Sequence, residues 1–234
     1  MNNNSKIFAE NASWTFDKNV PKNFDLHIKQ SIPLYEELQW LGREISDYYL
    51  KDGSNVYDIG CSTGTFLKSL AIKHKNKKIK FFGLDVIKKM TDYAKKKNSH
   101  KNITYLNKDV KNYKFKKSDL IVSFYTIQFI KPEYRQKIIN KIFKSLNWGG
   151  AFLFVEKVRS YDARTQDQMT GIYEQFKLDN NFSEKEIVNK KKSLKGVLEP
   201  FSTSGNVQLL KRAGFKDYSS VAKFVCFEAF LAIK

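Results

Sequence analysis

Two short stretches carry the residues whose types and spacing suit chemistry. Val56-Tyr57-Asp58-Ile59-Gly60-Cys61-Ser62-Thr63-Gly64-Thr65 sets an acid and two glycines between an apolar run and the apolar stripe Phe66, Leu67 and Leu70. Gly60 and Gly64 suit a sharp turn whose backbone a ligand can approach. Amides at the start of the following helix suit a polar or anionic group. Asp58 falls at the carboxyl end of its strand, where ligands of open α/β sheets bind. The second stretch, Phe81-Phe82-Gly83-Leu84-Asp85, is another strand ending in an acid. A carboxylate at that place suits the two hydroxyls of a ribose. Together they read as a nucleotide cradle.

The elements that must position this cradle follow from hydrophobic period. Apolar runs predict strands over 79–84, 103–106, 119–124 and 151–155, and the 119–124 run is apolar enough to be covered on both faces. Helices are predicted over 88–97 and over 132–146, the second stopped by Trp148-Gly149-Gly150. Strand–helix alternation of this kind predicts a doubly wound α/β sheet, Rossmann-like, with parallel strands. Residues 157–200 break the alternation and read as a helical insertion, with helices over 167–176 and 183–198. Ser183-Glu184-Lys185-Glu186 is a capping box for the second. A helix over 206–213 precedes strands over 215–219 and 224–233, too close for a crossover and therefore an antiparallel hairpin. At the front, Pro33 suits a helix start, and Leu34, Leu38, Leu41 and Ile45 keep helical period. Residues 1–50 then form a helical cap across the mouth of the glycine site, with Trp14 and Phe16 packed on the sheet. Residues 1–234 read as a single domain of seven strands.

Composition bounds the partners. With 234 residues and 41% hydrophobic content, the chain can fill one large core. No apolar run is long enough to span a membrane, and the start lacks a secretory signal. Two distant cysteines, Cys61 and Cys226, form neither a disulfide framework nor a metal site, which points to the cytoplasm. The net charge of +18 would attract an acidic small molecule and allows direct nucleic-acid contact without requiring it. Only Arg43, Arg135, Arg159, Arg164 and Arg212 are arginines, however, and the lysines are spread along the chain. That looks more like a bias of composition than a phosphate-reading patch. His27, His74 and His100 are scattered and make no ligand set.

Asp58-x-Gly60-x-x-x-Gly64, Asp85, Asp109 after the third strand and the terminal hairpin together resemble the class I S-adenosylmethionine (SAM) methyltransferases. The resemblance implies that Gly60, Cys61, Ser62 and Gly64 approach the methionine moiety. It implies further that Asp85 with Val86 takes the ribose, and Asp109 with Val110 the adenine. Gly60-Cys61-Ser62 narrows the match, because most of that family carry glycine where Ser62 stands. It is similar to the carboxy-SAM synthases of the tRNA wobble-uridine modification pathway. Trp14-Thr15-Phe16-Asp17, Ser31-Ile32-Pro33-x-Tyr35, Thr126-Ile127-Gln128-Phe129, Asn147-x-Gly149-Gly150, Glu156-Lys157, Phe176-Lys177 and Ala213-Gly214-Phe215 resemble that family too. Such enzymes use prephenate, convert it to phenylpyruvate, and place a carboxylate on the SAM methyl carbon through a sulfonium ylide.

Under this resemblance Tyr35 and Lys191 meet the new carboxylate, across a homodimer interface in the resembled family. Lys191 aligns with that family's arginine and Phe124 with its asparagine, so two carboxylate-reading groups are changed. Ordinary SAM-dependent methyl transfer to a small molecule or RNA is the alternative, with Tyr125, Gln128 and Glu156 near the chemistry. A basic binding protein without turnover is the third reading, disfavoured by the intact loop and acids.

Overall fold

The computed structural model describes residues 20–234, so the expectations on residues 1–12 and on Trp14-Thr15-Phe16-Asp17 lie outside the described residues. Seven strands form one sheet: β1 Asn55–Ile59, β2 Lys80–Asp85, β3 Ile103–Asn107, β4 Ser118–Phe124, β5 Leu146–Lys157, β6 Asp217–Phe224 and β7 Phe227–Ile233. Their order is β3-β2-β1-β4-β5-β7-β6. The first five run parallel, and β7 lies antiparallel between β5 and β6. Strand order reverses between β1 and β4, so their carboxyl ends open on the crevice where such sheets bind ligands.

Period-two alternation divides the apolar side chains between two faces. Tyr57, Ile59, Ile121, Phe152, Phe154 and Phe230 pack on one face, against α5 Pro132–Ser145 and α8 Thr203–Ala213. Val56, Phe81, Leu120, Val122 and Leu153 pack on the other, beneath α2 Tyr35–Ser46, α3 Thr65–Lys73 and α4 Lys88–Lys97. Phe154 stacks between Phe152 and Phe230, with both ring centroids 4.9 Å away. Each fully buried aromatic of this kind contributes about 1.5–3 kcal/mol by leaving water.

Local chemistry sets the helix ends. Ser183 and Glu186 form the expected capping box at the start of α7 Glu184–Ser193. Asp162 caps α6 Ala163–Asp179 through Thr165 N, and Gly214, at φ 112°, ends α8. A first helix, α1 Val20–Ser31, lies with α2 over the carboxyl edge of the sheet. No helix among the described residues is long and apolar enough to cross a membrane.

Several boundaries differ from the sequence reading; α2 starts at Tyr35 rather than at Pro33, the first inserted helix runs Ala163–Asp179 rather than 167–176, and β6 runs Asp217–Phe224 rather than 215–219. Trp148-Gly149-Gly150 does not stop a helix, because α5 ends at Ser145 and the glycines lie inside β5. Their freedom serves a strand irregularity, where a Cβ on Gly150 would stand 3.0–3.2 Å from three carbonyl oxygens. The second inserted helix ends at Ser193 rather than 198, since Gly196 turns the chain at φ 75°. Phe224 belongs to β6, not β7; Val225-Cys226 is the hairpin loop between the facing pair Phe224 and Phe227. Leu34 leaves the inward stripe of α2, because it takes φ 55° ahead of the helix and is exposed.

Candidate functional site

A single cavity of about 2390 Å³ runs across the carboxyl ends of β1, β2 and β4. Ordinary ligand pockets reach roughly 1,000 Å³, so there is room for two ligands side by side. Asp58, Gly60, Cys61 and Ser62 form its floor, and Asp85, Val86, Asp109 and Val110 one end.

The glycine loop works differently from the sequence expectation. A Cβ on Gly60 would collide with Thr126, and one on Gly64 with Tyr105, while both residues hold φ near +77°. Packing and backbone conformation therefore require these glycines, independently of any ligand. The amides are also already engaged. Gly60 N and Cys61 N donate to Leu84 O, Gly64 N to Cys61 O, and Ser62 N to Asp85 Oδ2 at 2.9 Å. Ser62 takes φ 47°, a strained turn for a residue with a side chain. The amides of Gly60, Cys61, Ser62 and Gly64 are thereby occupied, which leaves those of Thr63 and the first turn of α3 for a ligand. Asp58 is 3% exposed, and no hydrogen bond or ion pair meets its carboxylate among the described residues. Burial, then the Asp85 charge, pushes the Asp58 carboxyl up to about 8.

Asp85 accepts Ser62 N on one oxygen and Ile87 N, at 2.8 Å, on the other. Each oxygen keeps a lone pair toward the cavity, the arrangement a vicinal diol requires. Burial raises its pKa against the pull of the two amides. Val86 lies beside it, 61% exposed at the cavity wall, and Val110 is buried opposite. Asp109 accepts Lys111 N at 2.8 Å and pairs with Lys111 Nζ at 3.2 Å. Lys141 anchors this loop from α5, its Nζ donating to the carbonyls of Val110, Lys111 and Tyr113.

Beyond the glycine loop the wall is aromatic. Tyr35, at the start of α2, stacks on Tyr125 with centroids 6.0 Å apart and accepts Gln39 Nε2 at 2.8 Å. Burial, then Asp25 and Asp58, raises the Tyr35 phenol pKa. Phe124 packs on Phe66 at 4.7 Å and presents only carbon to the cavity. Tyr125 sits at φ 56°, and its hydroxyl is buried with no hydrogen-bond partner among the described residues. Gln128 and Glu156 are committed to the backbone. Glu156 accepts Ile127 N and Gln128 N at 2.9 Å each, and Gln128 Oε1 accepts Lys157 N. Buried Arg135 completes this support by donating to the carbonyls of Ile130 and Gln128.

The far wall is basic and comes from α6, α7 and the end of β5. Lys157, Lys177, Lys190 and Lys191 all line it. Lys191 is at the rim, its side chain 69% exposed and paired with Glu174 at 3.3 Å. Lys190 is more enclosed and meets His27 Nε2 at 2.7 Å; burial and the neighbouring lysines push it down to about 7. Burial and Lys190 likewise push His27 down to about 4. Sequence reasoning picked out Lys191 but gave no site role to Lys157, Lys177, Tyr173 or Asp25. The Tyr173–Lys177 spacing, one helical turn, was the available signal. Asp25, from α1, latches the glycine loop by accepting the hydroxyls of Thr63 at 2.7 Å and Thr65 at 3.0 Å.

A methyltransferase-domain profile matches residues 56–150, from β1 into β5. Among solved structures, a plantazolicin methyltransferase in complex with SAH superposes with a TM-score of 0.68 at 16% identity, over 95% of this chain and 93% of that one. Human N-acetylserotonin methyltransferase in complex with SAM gives 0.54 at 15% identity, over 93% and 63%. These likenesses show the fold. Sequence similarity goes further. The carboxy-S-adenosyl-L-methionine synthase of Staphylococcus epidermidis is 35% identical over 223 residues, 94% of this chain and 97% of the relative. That of Campylobacter hominis is 38% identical over 94% of each chain, and that of Sulfurimonas denitrificans 34% over 99% and 100%. Identity at this level spans cradle, insertion and hairpin alike, and the chain belongs to the carboxy-S-adenosyl-L-methionine synthase family.

Proposed function

We propose that this protein makes carboxy-SAM from SAM and prephenate, releasing phenylpyruvate and water. The observation that carries the reading is one continuous cavity with chemically opposite ends, acidic at Asp58, Asp85 and Asp109 and basic at Lys157, Lys177 and Lys190. The acidic end fits SAM. Asp58, buried without a partner among the described residues, suits the α-ammonium. Asp85 would take the ribose hydroxyls and Asp109 the adenine amine, with Val86 and Val110 against the ring. Bound there, SAM supplies a sulfonium with an electron-poor methyl carbon.

The chain's own contribution is positional and electrostatic. The basic end draws in a dianion that the acidic end repels, which orders the two ligands. Asp25 draws the cap against the glycine loop, and Tyr35 and Tyr125 line the junction, where water must be excluded. Tyr35 and Lys191 are proposed to meet the transferred carboxylate; Lys191 must leave Glu174 to do so. A homodimer is part of the proposal, and exposed Leu26 and Trp40 on the cap supply apolar surface for it. A cytoplasmic setting accords with two unpaired cysteines, and direct nucleic-acid contact is not required.

One observation favours a second reading, conventional methyl transfer to a small molecule or RNA. Phe124 offers no hydrogen bond at the junction, which plain methyl transfer tolerates. Incubation with SAM and prephenate, read by mass spectrometry, separates the two. Carboxy-SAM supports the first. S-adenosylhomocysteine formed with a cell extract, and nothing with prephenate, supports the second.

A further inference from the structure

Two lysines of the basic wall stand on one aromatic ring. Lys157 Nζ lies 4.4 Å and Lys177 Nζ 4.2 Å from the Tyr173 ring centroid. They come from different elements, the end of β5 and the last turn of α6, so the convergence is a product of the fold. Neither ammonium has an ion-pair partner among the described residues, and the nearby carboxylate, Glu174, is taken by Lys191. Tyr173 is fixed from behind, donating its hydroxyl to Ser31 O at 2.8 Å and meeting Phe227 edge-on at 5.3 Å. Phe227 also meets Tyr125 edge-on at 5.8 Å, and the Tyr125 hydroxyl lacks a partner. Two half-buried cations thus converge on one ring in an aromatic stretch of the cavity wall.

We propose that Lys157 and Lys177 bind the keto-acid carboxylate of the substrate, the one retained in phenylpyruvate. This rests on the carboxy-SAM synthase reading. Two like charges held over one ring repel each other, and a bound anion offsets that repulsion. Burial lowers the affinity of both amines for protons, and at Lys177 the Lys157 charge adds to it. The assignment to the retained carboxylate follows from the chemistry. The ring carboxylate must lose its charge as CO₂, and a tight cation pair on it would stabilise the starting state and slow its departure. A carboxylate that survives the reaction carries no such cost. The Tyr173, Tyr125 and Phe227 rings suit the six-membered ring of the same molecule.

The test uses the full chain with SAM bound. Phenylpyruvate and its methyl ester are titrated into native protein and into Lys157→Gln, Lys177→Gln and Lys177→Arg. SAM affinity and the KM for prephenate are measured on each. Native protein should prefer the acid to the ester by about tenfold or more. Each glutamine variant should lose that preference and raise the KM for prephenate more than it lowers kcat, with SAM affinity unchanged. Lys177→Arg should restore the preference. Equal binding of acid and ester by native protein overturns the assignment, as does a preference that survives in both glutamine variants. Should a glutamine variant fail to fold, the native preference and Lys177→Arg still decide. Native protein that binds SAM yet makes no carboxy-SAM overturns the underlying reading and this one with it.

Discussion

Asp58 and Lys177 show how single residues in this cavity are tuned against their own comfort. Asp58 is a buried carboxyl pushed up to about 8, so at neutral pH it holds a proton in the empty site. A cation bound beside it favours the ionised form, so binding releases that proton. SAM affinity should therefore fall as pH drops below about 8 and level off above it. Asp58→Asn should flatten this dependence, and calorimetry in buffers of different ionisation enthalpy would read the proton directly. Lys177 carries the opposite strain. Burial and Lys157 push it down to about 8, below the usual lysine value of about 10.4. Between those values the unfolded chain binds the proton and the folded chain does not, so stability rises with pH across that window. At neutral pH the folded protein bears a cost that Lys177→Met removes. Discounted for partial solvent access, the gain should be about 1 kcal/mol, seen as a higher urea midpoint alongside weaker prephenate use.

At the scale of elements, the loops around the cavity are held by charges that never touch a ligand. Glu156 and Arg135 fix the turn after β4, which carries Thr126 against Gly60. Arg135→Leu should cost about 2 kcal/mol, because it leaves the carbonyls of Ile130 and Gln128 without their donor, and a urea titration would show it. The α1 latch is lighter. Asp25→Ala removes two hydroxyl hydrogen bonds and should cost about 1 kcal/mol, with faster amide exchange over 20–31 and a faster SAM off-rate. Much of this scale was legible in the sequence. The helix over 88–97, the Ser183 capping box and the terminal hairpin follow from local pattern alone. Gly149 and Gly150 misled, because a glycine pair after a helix looks the same whether it stops that helix or bends the next strand. Leu34 misled similarly, since its helical spacing hides a left-handed φ. Asp85 and Asp109 were readable because strand ends fix where such acids point. The pairing of Lys157 with Lys177 was not, because only the folded chain brings β5 and α6 to one ring. The engagement of the Gly60, Cys61 and Ser62 amides was hidden for the same reason: their acceptors, Leu84 and Asp85, belong to the neighbouring strand.

For the whole molecule, a net charge of +18 surrounds a cavity that is acidic at one end and basic at the other. The long-range field draws anions toward the protein, and the local arrangement decides where they settle. Attraction of this kind is screened by salt, whereas the buried contacts at Tyr173 are screened far less. Specificity therefore lies in the cavity, and the surface lysines play a supporting part. On the proposed function, the two ends hold SAM and a dicarboxylate for one reaction. The most direct measurement incubates the protein with SAM and prephenate and follows the small molecules by mass spectrometry. The expected result is a species heavier than SAM by one CO₂, formed together with phenylpyruvate in equal amount. Bound SAM with no such species, and prephenate left unchanged, would contradict it.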